Sequence, residues 1–238
     1  VIPINIQSPE KRRQFDNGSS LDVHSVFYTI QGEGPFTGQP CVFLRLAGCN
    51  LQCPSCDTEY TDKRMMMDVD SLAGLLFASF PLFIKNRLVV ITGGEPFRQN
   101  LSPLIALLNS HDVHVQIETN GTLPVSANFD CLGDNFTIVC SPKAGKVHYS
   151  LYPFIDAYKY VLSYDSMDLD GLPIRALNHS AAPRVARPHE GFKGPIYLQP
   201  MDSKNEEENA INLRAVKRSC LQNGYLLQLQ LHKLIGVE

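Results

Sequence analysis

The sequence has little excess charge of either sign: 21 Lys and Arg stand against 24 Asp and Glu over 238 residues, a formal net charge of −3. That balance gives no reason to expect a nucleic-acid partner or attraction to a charged membrane surface. Long apolar runs are also missing. The longest, Leu72 to Ile84, is broken by Pro81 and too short to span a bilayer. No basic region followed by an apolar one opens the chain, so no secretory signal is expected. Internal repeats and low-complexity tracts are absent. The seven cysteines are an odd number with three of them clustered, which argues against a secreted disulfide framework and for a reducing cytoplasm. Cys41, Cys131, Cys140 and Cys220 lie singly in apolar surroundings and read as small core hydrophobes. The length suits one large α/β domain.

The clustered cysteines lie in Gly48-Cys49-Asn50-Leu51-Gln52-Cys53-Pro54-Ser55-Cys56-Asp57-Thr58, at C-x3-C-x2-C spacing. Four thiolates normally close a 4Fe–4S cluster, so three from one loop leave one iron open. An open metal position is where chemistry occurs. A Cys3His zinc site and three buried core cysteines are the competing readings. Zinc sites, however, usually pair two short clips, and no second clip is present.

The rest of the chain alternates strand and helix patterns. Val23 to Ile30 is β-prone and leads into Gln31-Gly32-Glu33-Gly34. Six apolar runs follow as strands: Cys41 to Leu46, Arg87 to Thr92, Val113 to Glu118, Phe136 to Cys140, Ile155 to Leu162, and Pro195 to Leu198. Near-continuous apolar strands fit a parallel sheet buried on both faces. Each carries polar or glycine-rich groups at or past its C-terminal end, the edge where parallel α/β folds bind ligands. Arg45 stands alone in its strand and needs either a ligand or a structural carboxylate, for which Glu33 and Glu118 are candidates. Helices are predicted from Asp70 (near the N-cap) to Ala78, over Leu101 to Leu108, and over Asn205 to Asn223. The last has a buried stripe of Ala210, Leu213, Val216 and Cys220 and ends at Gly224. Helices are sparse after residue 122, and Tyr225 to Leu231 reads as a final strand. The expected fold is a partial, open (β/α) barrel of about six parallel strands. Residues 1–22 read as a polar arm or inserted loop without chemistry, and 23–238 as a single domain. Residues 165–194 are Pro-, Gly- and Ser-rich with scattered Arg175, His179, Arg184, Arg187, His189 and Lys193. They read as a functional lid or a mobile, solvated loop.

The cysteine spacing closely resembles that of the radical S-adenosylmethionine (SAM) superfamily, and Gly93-Gly94-Glu95-Pro96 resembles its SAM-amino motif. Ser55 departs from the aromatic residue common before the third cysteine. The whole pattern is similar to one family, 7-carboxy-7-deazaguanine synthase. It is carried by Gln31-Gly32-Glu33-Gly34, Phe43 to Cys49, Cys56-Asp57-Thr58, Thr92 to Pro96, Glu118 to Gly121, Ser141-Pro142-Lys143, Lys159-Tyr160-Val161, Gln199-Pro200 and His232-Lys233. These span most of the chain in order.

The resemblance implies conversion of 6-carboxy-5,6,7,8-tetrahydropterin to 7-carboxy-7-deazaguanine with loss of ammonia, in 7-deazapurine (queuosine-type) biosynthesis. It implies a 4Fe–4S cluster on Cys49, Cys53 and Cys56, with Mg2+ on Thr58. SAM is expected against Ser55, Cys56, Asp57, Gly93, Gly94, Glu95, Asn120, Ser141, Pro142, Lys143, Gln199 and Pro200. The pterin is expected against Ile30, Gln31, Gly32, Glu33, Arg45, Thr92, His232 and the tail carboxylate of Glu238. An electron donor such as flavodoxin or ferredoxin is implied, and a homodimer is the expected assembly. Two alternatives stay open from sequence: a radical SAM activase that makes a glycyl radical on a partner protein, and a non-catalytic metal-binding module.

Overall fold

The computed structural model describes residues 5–126, 129–178 and 184–237. A single nine-stranded sheet organises the chain in the order β3-β1-β2-β4-β5-β6-β7-β8-β9. Strand β1 (Ser20–Ile30) runs antiparallel to β2 (Pro40–Leu46) and to β3 (Met65–Asp68). From β2 onward every pairing is parallel, through β4 (Leu88–Gly93), β5 (His114–Thr119), β6 (Phe136–Cys140), β7 (Ile155–Leu162), β8 (Ile196–Pro200) and β9 (Leu226–Leu227). The expected open, partial barrel of parallel strands is what forms. The antiparallel pairing of β1 with β3 at the first edge was not legible, because the two strands are separated in sequence by β2 and the cysteine loop. Strand β1 takes in Ser20 to Asp22 from the stretch read as an arm.

Among the described residues α1 (Val69–Ser79), α2 (Ser102–Asn109) and α3 (Glu206–Asn223) pack on the sheet, and a short α4 (Leu231–Ile235) follows β9 with no buried residue. Helix α1 is capped by Asp68, whose carboxylate accepts from the Ser71 amide at 2.9 Å, rather than by Asp70. The α3 cap is Asn205, and Gly224 ends the helix at φ 76°. The buried stripe of α3 is rotated from the expected one. Ala210 is exposed, while Asn212, Ala215, Val216, Ser219 and Cys220 are buried. Asn212 explains the rotation, since its amide donates to the Met201 carbonyl at 2.9 Å and accepts from the Tyr164 amide at 2.9 Å. Only Leu226–Leu227 of the expected final strand pairs, and the chain turns into α4 instead.

Period-two alternation gives the sheet two chemically distinct faces. Leu44, Leu46, Val89, Ile91, Val115, Ile117 and Ile138 join Leu72, Leu76, Leu104 and Leu108 of the helices in one core. Their neighbours Arg45, Thr92, Glu118, Lys159 and Gln199 point the other way, into a cavity. Cys41, Cys140 and Cys220 are buried as expected, but Cys131 is exposed. The 165–194 segment is not simply a solvated loop. Leu172, Ala176 and Val185 enter the core, and Arg184 and Arg187 pair with Asp168 and Asp170. Arg184 and Arg187 are committed within the segment, Arg175 is exposed, and His179 lies outside the described residues.

Candidate active site

The cavity encloses about 720 Å³ at the C-terminal ends of the parallel strands, a size that suits small-molecule ligands. The cysteine loop leaves β2 and is stitched to the turn after β4. The Gly94 amide donates to the Leu46 carbonyl at 3.0 Å and the Glu95 amide to the Gly48 carbonyl at 3.0 Å. A Cβ on Gly94 would meet the Gly48 carbonyl oxygen at 1.9 Å, so this approach requires glycine.

Burial pushes the thiols up, Cys49 to about 12 and Cys53 to about 11, with the Lys143 cation partly offsetting this at Cys53. Iron binding must therefore displace protons. Among the described residues, the only three metal-ligating side chains within 4.8 Å of one another are His24, Glu59 and Asp62. The three sulfurs of Cys49, Cys53 and Cys56 do not all lie within that distance of one another, whereas ligands on one tetrahedral zinc stand about 3.8 Å apart.

Glu95, expected against SAM, is not among the residues that line the cavity. It is fully buried and accepts from the Phe97 and Asn120 amides and from Thr119 Oγ1, at 3.1, 2.8 and 2.7 Å. Its role is to join the ends of β4 and β5, and the cavity receives Gly93 and Gly94 instead. Pro142 and Pro200 likewise do not line the cavity, whereas Ser141, Lys143 and Gln199 do. Lys143 Nζ donates to the Ser141 carbonyl at 3.0 Å, and burial lowers its pKa. Gln199 is 4% exposed, and its Oε1 finds no hydrogen-bond partner among the described residues. An adenine amino group would suit that buried acceptor, so the residues present fit SAM. Asn120 lines the cavity while its Nδ2 donates to Asn50 Oδ1 at 3.0 Å.

On the opposite wall, Ile30, Gln31, Gly32, Glu33, Arg45, Thr92 and His232 come together as expected. Arg45 lies over the Phe27 ring, 5.2 Å from its centroid. The carboxylates considered as its partners, Glu33 and Glu118, are joined by Lys159, whose Nζ reaches Glu33 Oε2 and, at 3.1 Å, Glu118 Oε2. Gln230 adds a bond to Glu33 at 2.8 Å, and Gln31 and Gln116 add bonds to Glu118 at 3.1 and 2.9 Å. Lys159 was not among the expected site residues. A lysine within the buried half of a largely apolar strand was the signal available. Helix α4 closes the mouth: the Leu231 amide donates to the Gly32 carbonyl, and Lys233 pairs with Asp57 and Asp202 at 3.1 Å each. Burial pushes the His232 imidazole below its ordinary range, against the opposing pull of the Glu33 carboxylate. Ser55 lines the cavity and accepts from Asn178 Nδ2 at 2.8 Å. Glu238 lies outside the described residues.

A three-cysteine loop beside a Gly-Gly turn, at the strand ends of an open parallel barrel, defines a radical SAM enzyme. No family model matches the chain. It is 39% identical to the 7-carboxy-7-deazaguanine synthase of Rhodospirillum rubrum, over 97% of this chain and 98% of that one. It is 38% identical to the enzyme of the same name from Rickettsia prowazekii, over 97% and 94%. The crystal structure of QueE from Escherichia coli superposes with a TM-score of 0.67 at 26% identity, covering 90% of this chain and 95% of that one. The chain belongs to the 7-carboxy-7-deazaguanine synthase family. That membership sets aside the activase and the non-catalytic module.

Proposed function

We infer that the protein converts 6-carboxy-5,6,7,8-tetrahydropterin to 7-carboxy-7-deazaguanine, releasing ammonia. The observation that carries this reading is one cavity whose first wall is the cysteine loop and whose second is the Arg45, Glu33, Lys159 and Glu118 set. Cluster and SAM, when bound, supply a 5′-deoxyadenosyl radical that removes the hydrogen at C6 of the pterin. The chain's part is to orient and to exclude water. Cys49, Cys53 and Cys56 would hold the cluster, and the Gly93-Gly94 carbonyls the ammonium of SAM. Lys143 and Ser141 suit its carboxylate and ribose, and Gln199 its adenine. Arg45 offers a planar fork to the substrate carboxylate. Glu33 and Glu118, fixed by Lys159, offer acceptors to pterin N–H groups. His232 and α4 shut the mouth.

Mg2+ belongs to this reading, with the Thr58 hydroxyl as ligand beside substrate oxygens and waters. So do a flavodoxin- or ferredoxin-type donor and a cytoplasmic setting, the latter supported by seven free cysteines. A homodimer is supported by exposed Leu226 and Leu227 on the edge strand. No helix among the described residues is long and apolar enough to cross a membrane. An anaerobic assay with the tetrahydropterin and SAM tests the reaction: formation of the deazaguanine product is expected, and its absence from cluster-loaded protein overturns the reading. In the same assay Thr58→Ala should lose stimulation by Mg2+ while still binding SAM, and Thr58→Ser should keep both. An equal Mg2+ response in wild type and Thr58→Ala removes the hydroxyl from that role.

A further inference from the structure

Residues 5–13 run alongside the cysteine loop and meet it at several points. The Asn5 amide donates to the Pro54 carbonyl at 2.9 Å, and its Nδ2 to the Cys53 carbonyl at 3.2 Å. Gln7 bridges two positions: Nε2 donates to the Thr58 carbonyl at 2.9 Å, and Oε1 accepts from the Tyr60 amide at 2.9 Å. The Glu10 amide donates to the Cys49 carbonyl at 2.7 Å. Glu10 also pairs with Arg98 at 3.0 Å, and Arg98 packs against Gly48 and donates to the Ala47 carbonyl at 2.9 Å. Apolar burial does not hold this stretch in place, because Ile6 is 86% exposed. Its contacts are polar, and they fall on the backbone of two of the cysteines and on either side of the third. Asn5, Ile6 and Gln7 are also cavity wall.

We propose that residues 5–13 are a strap that fixes the cysteine loop in its cluster-holding shape and screens the cluster from bulk water, with Asn5 and Gln7 as positioning residues. The inference rests on the 4Fe–4S reading of the three cysteines. Cluster potential depends on hydrogen bonding and solvent exposure. Reduction adds negative charge, which water stabilises, so a loosened strap shifts the potential to less negative values. A loop freed to fluctuate also releases iron faster.

The test compares anaerobically reconstituted wild type with the Asn5→Leu/Gln7→Leu double variant, which keeps the bulk of both side chains. Bleaching by a ferrous-iron chelator should be roughly tenfold faster, as expected when several side-chain hydrogen bonds to one loop are lost. The midpoint potential without SAM should be less negative. A strap that only stabilises the fold would lower Tm and leave bleaching and potential unchanged, and that result overturns the proposal. A second measurement needs no variant: the Asn5, Glu10 and Tyr60 amides should exchange hydrogen at least about tenfold faster after iron is stripped from the wild type. Equal exchange also overturns it. A wild type that takes up no iron–sulfur cluster would bring down the cluster reading itself, an outcome distinct from both.

Discussion

Lys159 is 6% exposed and sits between two carboxylates. Burial works to raise the Glu33 carboxyl, but the Lys159 charge and hydrogen bond, with Gln230, bring it down from 4.5 to about 2. A depressed carboxyl stabilises the fold fully above its ordinary value, and this is lost as pH falls from 4.5 through about 2. In Lys159→Met the sign reverses: Glu33 is left buried without its cation and is most destabilising near neutrality. Thermal melts of the apoprotein should show a loss of about 3–5 kcal/mol at pH 7, partly recovered on mild acidification. An acid profile parallel to that of the wild type would contradict the pairing. Arg45→Ala should raise the Michaelis constant for the carboxypterin roughly ten- to a hundredfold, through a lost charge-assisted bond of about 1.5–3 kcal/mol. SAM affinity should stay near normal, and Arg45→Lys should recover little, since an ammonium cannot form the fork. A combined fall in Tm and in both affinities would make Arg45 structural. At this scale the sequence showed residues that break a local rule, such as Arg45 in an apolar strand or three thiols in one loop. It did not show which way Glu95 turns, because that depends on Thr119 and Asn120, brought in by a neighbouring strand.

Among the elements, α4 makes the clearest prediction. A Cβ at Gly32 would meet His232 Nδ1 at 2.1 Å and the His232 backbone nitrogen at 2.9 Å. Gly32→Ala should therefore lift α4 from the mouth, weakening pterin binding while the cysteine loop still takes up its cluster. Unchanged pterin affinity would show that α4 can give way at no cost. The parallel strands β2 and β4 to β8 were legible because each is a short apolar run ending in polar or glycine residues. Helix α4 was not. Five residues carry too little periodicity to mark a helix, and its position comes from the Gly32 carbonyl and from Asp57 and Asp202. The α3 stripe was misplaced because Asn212 and Ser219 are buried for hydrogen bonds, to Met201 and Gly171, that apolar patterning does not register.

Over the whole molecule, thiol chemistry separates surface, core and site. A maleimide should label Cys131 rapidly in the cluster-loaded protein, because it is exposed while Cys41, Cys140 and Cys220 are buried. Iron removal should add labelling at Cys56, which is only half-buried. Rapid labelling of Cys140 in folded protein would contradict this core. The cavity draws its lining from both extremes of the chain, Asn5 to Gln7 at one end and Gln230 to Lys233 at the other. During synthesis the cysteine loop emerges early, whereas the segment that shuts the mouth follows β8 in the chain and emerges after it. A nascent chain can thus present its thiols to iron before it can enclose a pterin.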